Sequence, residues 1–269
     1  MMLLVFQTSG FGESLSNLKE TGFNWIKENL GDEFTEGETV ISKLEDSIYL
    51  FVIDNKEQGK NSAYVVMKEQ KDKQIIEIIE YGIGETVPYQ TGIIINESLL
   101  HKEPDQSYYY SPLEGYWVFT SANSKLYVDS ATGDLLPDLK QFEAGEDNFN
   151  YLNSKVKMSD YYFNQELIFN PYYNLEWLFA DESEPSLTKV QIIKLLQDDQ
   201  QVLYNGIKYE KTVHFAYPVI GYQAGDNLVY VALYDSNLYL IRYIEFDILK
   251  QFGNFEAHGS RNESSQRTL

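Results

Sequence analysis

An α+β fold, built from antiparallel sheets with a few packing helices, is what this sequence predicts, on three observations. Short β-branched or aromatic runs separated by polar turns recur in both halves of the chain. A few other stretches space their apolar residues as a helix does. Tyrosine occurs 22 times in 269 residues, and its apolar ring and wettable tip suit half-buried sheet surfaces. Hydrophobic residues make up 43%, enough for one large or two medium domains with real cores.

The elements follow in order. Leu15, Leu18, Phe23, Ile26 and Leu30 lie on one helical face over 13–30, and Gly31 supplies a stop. The period then changes to that of strands at 39–44 (TVISKL), 48–53 (IYLFVI), 63–68 (AYVVMK) and 75–81 (IIEIIEY). The last could be helical by composition, but its length and the Gly82/Gly84 stop favour a strand. YWVFT (116–120) and KLYVD (125–129) form a second β unit, closed by ATGDLLPD, whose Thr-Gly step provides a positive φ. Residues 137–160 are polar and charged, as linkers between domains are. This gives two units, 13–140 and 155–257.

In the second unit NPYYNLEWLF is densely aromatic. It reads first as core, with the lining of a peptide groove as the other reading. SLTKVQIIKLLQDD is an amphipathic helix capped by Ser186 or Thr188. VLYNG, a hairpin of 213–222 and 228–235, the strand NLYLIRYI and the short helix EFDILKQFG follow. In the hairpin, Gln223–Asn227 form the turn, with Gly225 and Asn227 able to take positive φ, while Val219 and Val229 face the core. Pro218 donates nothing to a ladder, so it must sit at an edge or a bulge. The tail 258–269 is polar and reads as disordered.

The charge balance of 21 basic against 41 acidic residues, net −20, repels phosphate backbones and anionic lipid surfaces. No nucleic acid and no membrane partner is therefore expected. With no cysteine, disulfides, thiolate metal sites and a cysteine nucleophile are excluded. The three histidines, His101, His214 and His258, are far apart in sequence, and Asp129–Asp134 lacks the middle ligand of a calcium loop and reads as a turn. No metal and no cofactor is expected. No run approaches the roughly 20 apolar residues of a membrane span. The apolar start Met1–Phe6, followed by small polar residues, reads as the end of a secretory signal within 1–12 or as the tip of the first helix. The first reading predicts an extracellular or cell-envelope protein, the second a cytoplasmic one.

The order of elements over 187–250 resembles the second half of bacterial peptidase C39-like, papain-like domains. A helix (186–199) and a strand (QVLYNG) lead to His214, Gly221-Tyr222 ends the His strand, and Asp235 follows on the next strand. The first half resembles the propeptide region of secreted bacterial cysteine peptidases, and YVDSATGDLLPD looks like the strand–turn of PepSY-type modules. The resemblance implies a papain-like C-terminal half with His214 and Asp235 as its catalytic His/Asp pair. It implies no activity here, because such an enzyme needs an activated thiolate. Ser159 and Ser183 lie in the interval where the nucleophile would stand, but neither sits in a G-x-S-x-G or S-x-x-K setting.

Three functions follow: an exported non-catalytic protein that binds a peptide or protein partner, a hydrolase using an unrecognised nucleophile with His214 and Asp235, or an intracellular regulatory protein. The first is expected. Against the pairing of His214 with Asp235 stands the plain alternative, a half-buried strand histidine and a turn aspartate.

Overall fold

Residues 13–29 of the expected 13–30 do lie in a helix. In the computed structural model, which describes residues 9–93, 99, 102–121, 124–137, 151–173, 175–179, 186–209, 213–225 and 228–258, α1 runs Ser9–Asn29. Gly31 ends it at φ 124°, a backbone conformation side chains rarely take, with its amide reaching back to the Ile26 carbonyl. The Met1–Phe6 segment, His101, Ser183, most of the 137–160 stretch and the tail beyond His258 lie outside the described residues. No helix among the described residues is long and apolar enough to cross a membrane.

Four strands follow as an antiparallel meander: β1 (Glu38–Glu45), β2 (Ile48–Asp54), β3 (Ser62–Gln70) and β4 (Ile75–Gly84). IIEIIEY is thus a strand, with Ile76, Ile78 and Ile79 buried. The chain then leaves for a separate four-stranded antiparallel sheet of β5 (Gln106–Tyr109), β6 (Gly115–Ser121), β7 (Ser124–Asp129) and β8 (Leu135–Leu136). Gly133, at φ 77°, supplies the positive φ expected of ATGD. Two short strands lead back. β9 (Leu152–Asn153) pairs with β4, and β10 (Asp160–Phe163) pairs with β12 (Val213–Gly225).

Helix α2 (Lys189–Gln197) is capped by Thr188, whose side chain and that of Gln191 close a capping box. The other candidate cap, Ser186, instead accepts from the Phe255 amide. β11 (Val202–Lys208), β12, β13 (Leu228–Asp235) and β14 (Leu240–Glu245) form a second meander. Glu245 then caps α3 (Phe246–Phe252), and β15 (Gly253–Ala257) returns beside β11. Just beyond it His258 is ordered, its ring stacked on Phe169 at 4.2 Å.

The expected hairpin is present with a tighter turn. The ladder runs to Gly225 opposite Leu228, so Gly225 is a strand residue and not a turn residue, and Asp226 and Asn227 lie outside the described residues. A two-residue connection lets both strands pair to their ends, which a five-residue turn would forfeit.

Strands β4 and β14 pair edge to edge, Gly84 opposite Leu240 and Tyr81 opposite Tyr243. The strands of 38–84 and 202–257 therefore belong to one sheet, in the order β1-β2-β3-β4-β14-β13-β12-β11-β15. A single hydrophobic cluster runs through both halves, from Leu18 to Phe255.

Alternation along the strands gives the sheet two faces. One carries Tyr81, Tyr230 and Tyr243, and α1 covers it. Trp25 meets Tyr81 edge-on at 5.5 Å, and Gln223 ties the sheet to the helix by accepting from the Tyr81 hydroxyl and donating to the Asn29 carbonyl. The opposite face carries Glu80 and Arg242, covered by Tyr89, Tyr109 and the Pro112 carbonyl. At the β4–β14 seam a Cβ on Gly82 would meet the Ile241 carbonyl and the Tyr64 ring. Gly82→Ala is expected to cost about 1–3 kcal/mol by overpacking, read as a lower urea midpoint. A midpoint unchanged from wild type would mean that the seam opens freely.

Candidate functional site

β12 is 13 residues long and β13 only eight. Their ladder begins at Val219 opposite Leu233, and a bulge at Ile220 carries it on to Gly221 opposite Ala232. Residues 213–218 keep β11 on one side, from Val213 opposite Lys208 to Pro218 opposite Leu203. No strand among the described residues lies against their other side. The Ala216 amide points there and donates to the Tyr172 hydroxyl at 3.4 Å. Two residues on, the Pro218 nitrogen faces the same way, so the residue with no proton to donate stands where a partner strand ends. This meets the expectation for Pro218.

Beside this open edge lies a cleft of about 130 Å³. The β13–β14 turn (Tyr234–Asn237) forms one wall, the β7–β8 turn another, and Pro171 and Tyr172 close the far side. A string of polar groups runs along the sheet face beneath it. Lys208 is ion-paired with Asp129, both almost fully buried, and lies over the rings of Phe215 and Tyr209 at 5.3 and 5.4 Å. Tyr209 donates to the Gly115 carbonyl, and its hydroxyl lies 3.1 Å from Asp129. The other Asp129 oxygen accepts from the amides of Ala131 and Thr132. The Asp129–Asp134 stretch is therefore the expected turn, and its carboxylate also joins the small sheet to β11.

Tyr217 and Asp235 complete the string. Counting outward from Val219 opposite Leu233, Tyr217 falls level with Asp235 on the same face. Burial, and then the negative charge of Asp235, push the Tyr217 phenol well above its ordinary range. Burial likewise raises the Asp235 carboxyl, against the pull of the Asn237 amide and Arg242. Asp235 Oδ1 accepts from the amides of Asn237 at 2.9 Å and Leu238 at 3.4 Å, the turn chemistry of Asp-Ser-Asn.

His214 and Asp235 both border this cleft. No hydrogen bond joins them. His214 alternates with Phe215 and Tyr217, so its side chain projects with those of Ala216 and Pro218 to the other face and is exposed, whereas Asp235 is 4% exposed beside Tyr217. Ser159 sits at the opposite end of β12, its amide on the Ala224 carbonyl.

The aromatic segment lies at the far rim of the cleft. Pro171 and Trp177 are buried, with the Trp177 indole donating to the Pro171 carbonyl. Tyr173 is 91% exposed and Tyr161 79%, with Phe163, Tyr172, Leu175 and Leu178 also open to solvent. The segment is surface more than core, because its short 3-10 turns (Gln165–Leu167, Pro171–Tyr173 and Glu176–Phe179) have no continuous face to bury.

Sequence reading singled out His214 and Asp235 but missed Lys208, Asp129 and Tyr217. A signal for the first existed, since Lys208 closes an apolar strand, VLYNGIK, where a charge is unusual without a partner. No protein-family model matches the chain, and no curated protein matches it.

Proposed function

We propose that this chain is a non-catalytic interaction protein that receives an extended segment of a peptide or protein partner along the open edge of β12. One observation carries the reading: six consecutive residues of a central strand have no strand beside them on one side among the described residues, next to a cleft and an exposed aromatic surface. A free strand edge offers amides and carbonyls for a further strand, and adjacent pockets take alternate side chains of the guest. Tyr172, whose hydroxyl occupies the Ala216 amide, is what the guest displaces. Export, expected from the apolar start, belongs to the same proposal.

Panning a display library of linear peptides should enrich sequences that slow hydrogen exchange at the His214 and Ala216 amides. Enriched peptides that leave those two amides unprotected would overturn the reading.

The papain-like reading of 155–257 rests on the order of elements from α2 to α3. No α-helix precedes α2 in the described part of that half, so a helix-borne nucleophile has no counterpart there. No turnover of casein is expected. Turnover abolished by His214→Ala would replace this proposal with the hydrolase alternative.

A further inference from the structure

We propose that the cleft beside β12 is a socket for one cationic side chain, a lysine ammonium or an arginine guanidinium, of the segment bound there; this rests on the peptide-binding reading above. Two groups point to it independently of net charge. Tyr217 is 8% exposed, and its hydroxyl borders the cleft with no hydrogen-bond partner among the described residues. Asp235 is 4% exposed and uses Oδ1 for its turn, which leaves Oδ2 without a partner in the described part of the protein. A phenol and a carboxylate oxygen of two nearly buried residues, both lining the cleft and neither bonded to the described protein, offer a ready place for a donor that enters it.

The surroundings narrow what that can be. Asp134 adds a second carboxylate at the same mouth. Lys208 also borders the cleft, but its ammonium is already held by Asp129, so it does not neutralise Asp235. An anion would be repelled by both free carboxylates. Among the described residues no group of three His, Cys, Asp or Glu side chains stands close enough to hold a metal ion. About 130 Å³ is well under the roughly 300–1,000 Å³ of sites for drug-sized ligands. What fits is the head of one side chain carrying several N–H donors and a positive charge. A strand laid along β12 points every second side chain the same way, so one residue of the guest can enter while the backbone pairs.

The test compares acetyl-(Ala-Arg)4-amide with acetyl-(Ala-citrulline)4-amide by calorimetric titration at about 0.15 M salt, where long-range attraction to the acidic surface is screened. Citrulline keeps the shape and most donors of arginine without its charge. The arginine peptide is expected to bind about 30-fold more tightly, the scale of a buried charge pair that loses one member. Asp235→Asn keeps the Oδ1 acceptor of the turn and should abolish that preference. Asp72→Asn, an exposed acid in the β3–β4 turn, removes the same charge and should change it less than about twofold. Tyr217→Phe should weaken the arginine peptide alone, with circular dichroism confirming the fold of each variant. Equal affinity for the two peptides would overturn the cationic socket and leave peptide binding standing. An effect of Asp72→Asn as large as that of Asp235→Asn would overturn it too, as attraction by the general field. Absence of binding by both peptides would remove the socket and count against the reading beneath it.

Discussion

Arg242→Ala is expected to lower the stability of the protein by about 3–5 kcal/mol, the cost of leaving a buried charge uncompensated. Arg242 lies in the middle of the sheet and Glu80 two residues from its ladder partner, Gly82. Nη2 is 2.6 Å from Glu80 Oε2 and 3.0 Å from the Tyr89 hydroxyl, and it also donates to the Pro112 carbonyl. The two residues are 3% and 0% exposed. Burial pushes the Glu80 carboxyl up and the Arg242 charge pulls it back, so removing the guanidinium leaves the burial penalty without its main offset. Against a total of about 5–15 kcal/mol for a typical domain, such a loss is near the limit of folding. Glu80→Leu combined with Arg242→Met should be far milder, because deleting both charges removes the desolvation term as well. Denaturant titration of the single and double variants decides it. A single variant that loses under about 1 kcal/mol would mean that the pair contributes no more than a surface one does.

The second large effect is with pH, and Glu245 contributes to it. Its Oε2 caps α3 through the amides of Asp247 and Ile248 at 2.7 and 3.1 Å, while Oε1 is buried without a hydrogen-bond partner. Lys189 stands 3.6 Å away but is closer to Asp247. Burial, and then the neighbouring Asp247 charge, push the Glu245 carboxyl from 4.5 up to about 7. Between those two values the folded protein binds a proton that the unfolded chain has already released. Stability from this group is therefore full below pH 4.5 and is lost as the pH rises through about 7. The loss amounts to roughly 3 kcal/mol. Asp235, raised by burial, acts in the same direction. Urea unfolding at intervals from pH 5 to pH 8 should show stability falling, and Glu245→Gln should flatten the slope. A wild-type protein that gains stability over that interval would contradict the assignment.

Much of the fold was legible because strands and helices announce themselves within ten residues. The meander 39–81 follows from alternating apolar runs with polar turns, the start of α2 from the candidate caps Ser186 and Thr188, of which Thr188 is used, and the placement of Pro218 from its missing proton. The β4–β14 seam was not legible, since nothing near Tyr81 announces a partner 162 residues on at Tyr243. Even so, Glu80, one of two glutamates in IIEIIEY, and Arg242, the lone charge of LYLIRYI, are opposite charges inside apolar strands, which is how a buried pair looks in sequence. For the site, His214 and Asp235 lie on adjacent strands as expected, yet strand parity decides which face a side chain takes. The step from 214 to 217 is odd, and only a register could reveal that Asp235 sits level with Tyr217. The NPYYNLEWLF aromatics read first as core because composition carries no information on whether a segment has a face to bury.

The seam also sets a timetable for synthesis. β4 leaves the ribosome long before β14, and about 160 further residues must be added before its neighbour exists. At roughly 5–20 residues per second this takes on the order of ten to thirty seconds. For that interval residues 80–84 of β4 lack the strand they pair with, and the two-residue contact of β9 at Glu77 and Ile78, made a little before the midpoint of the wait, guards the edge beside them. High contact order slows the closing step further. The N-terminal meander is therefore the part of the nascent chain most exposed to wrong pairing, and a truncation that ends before β14 leaves residues 80–84 without the partner strand of the seam.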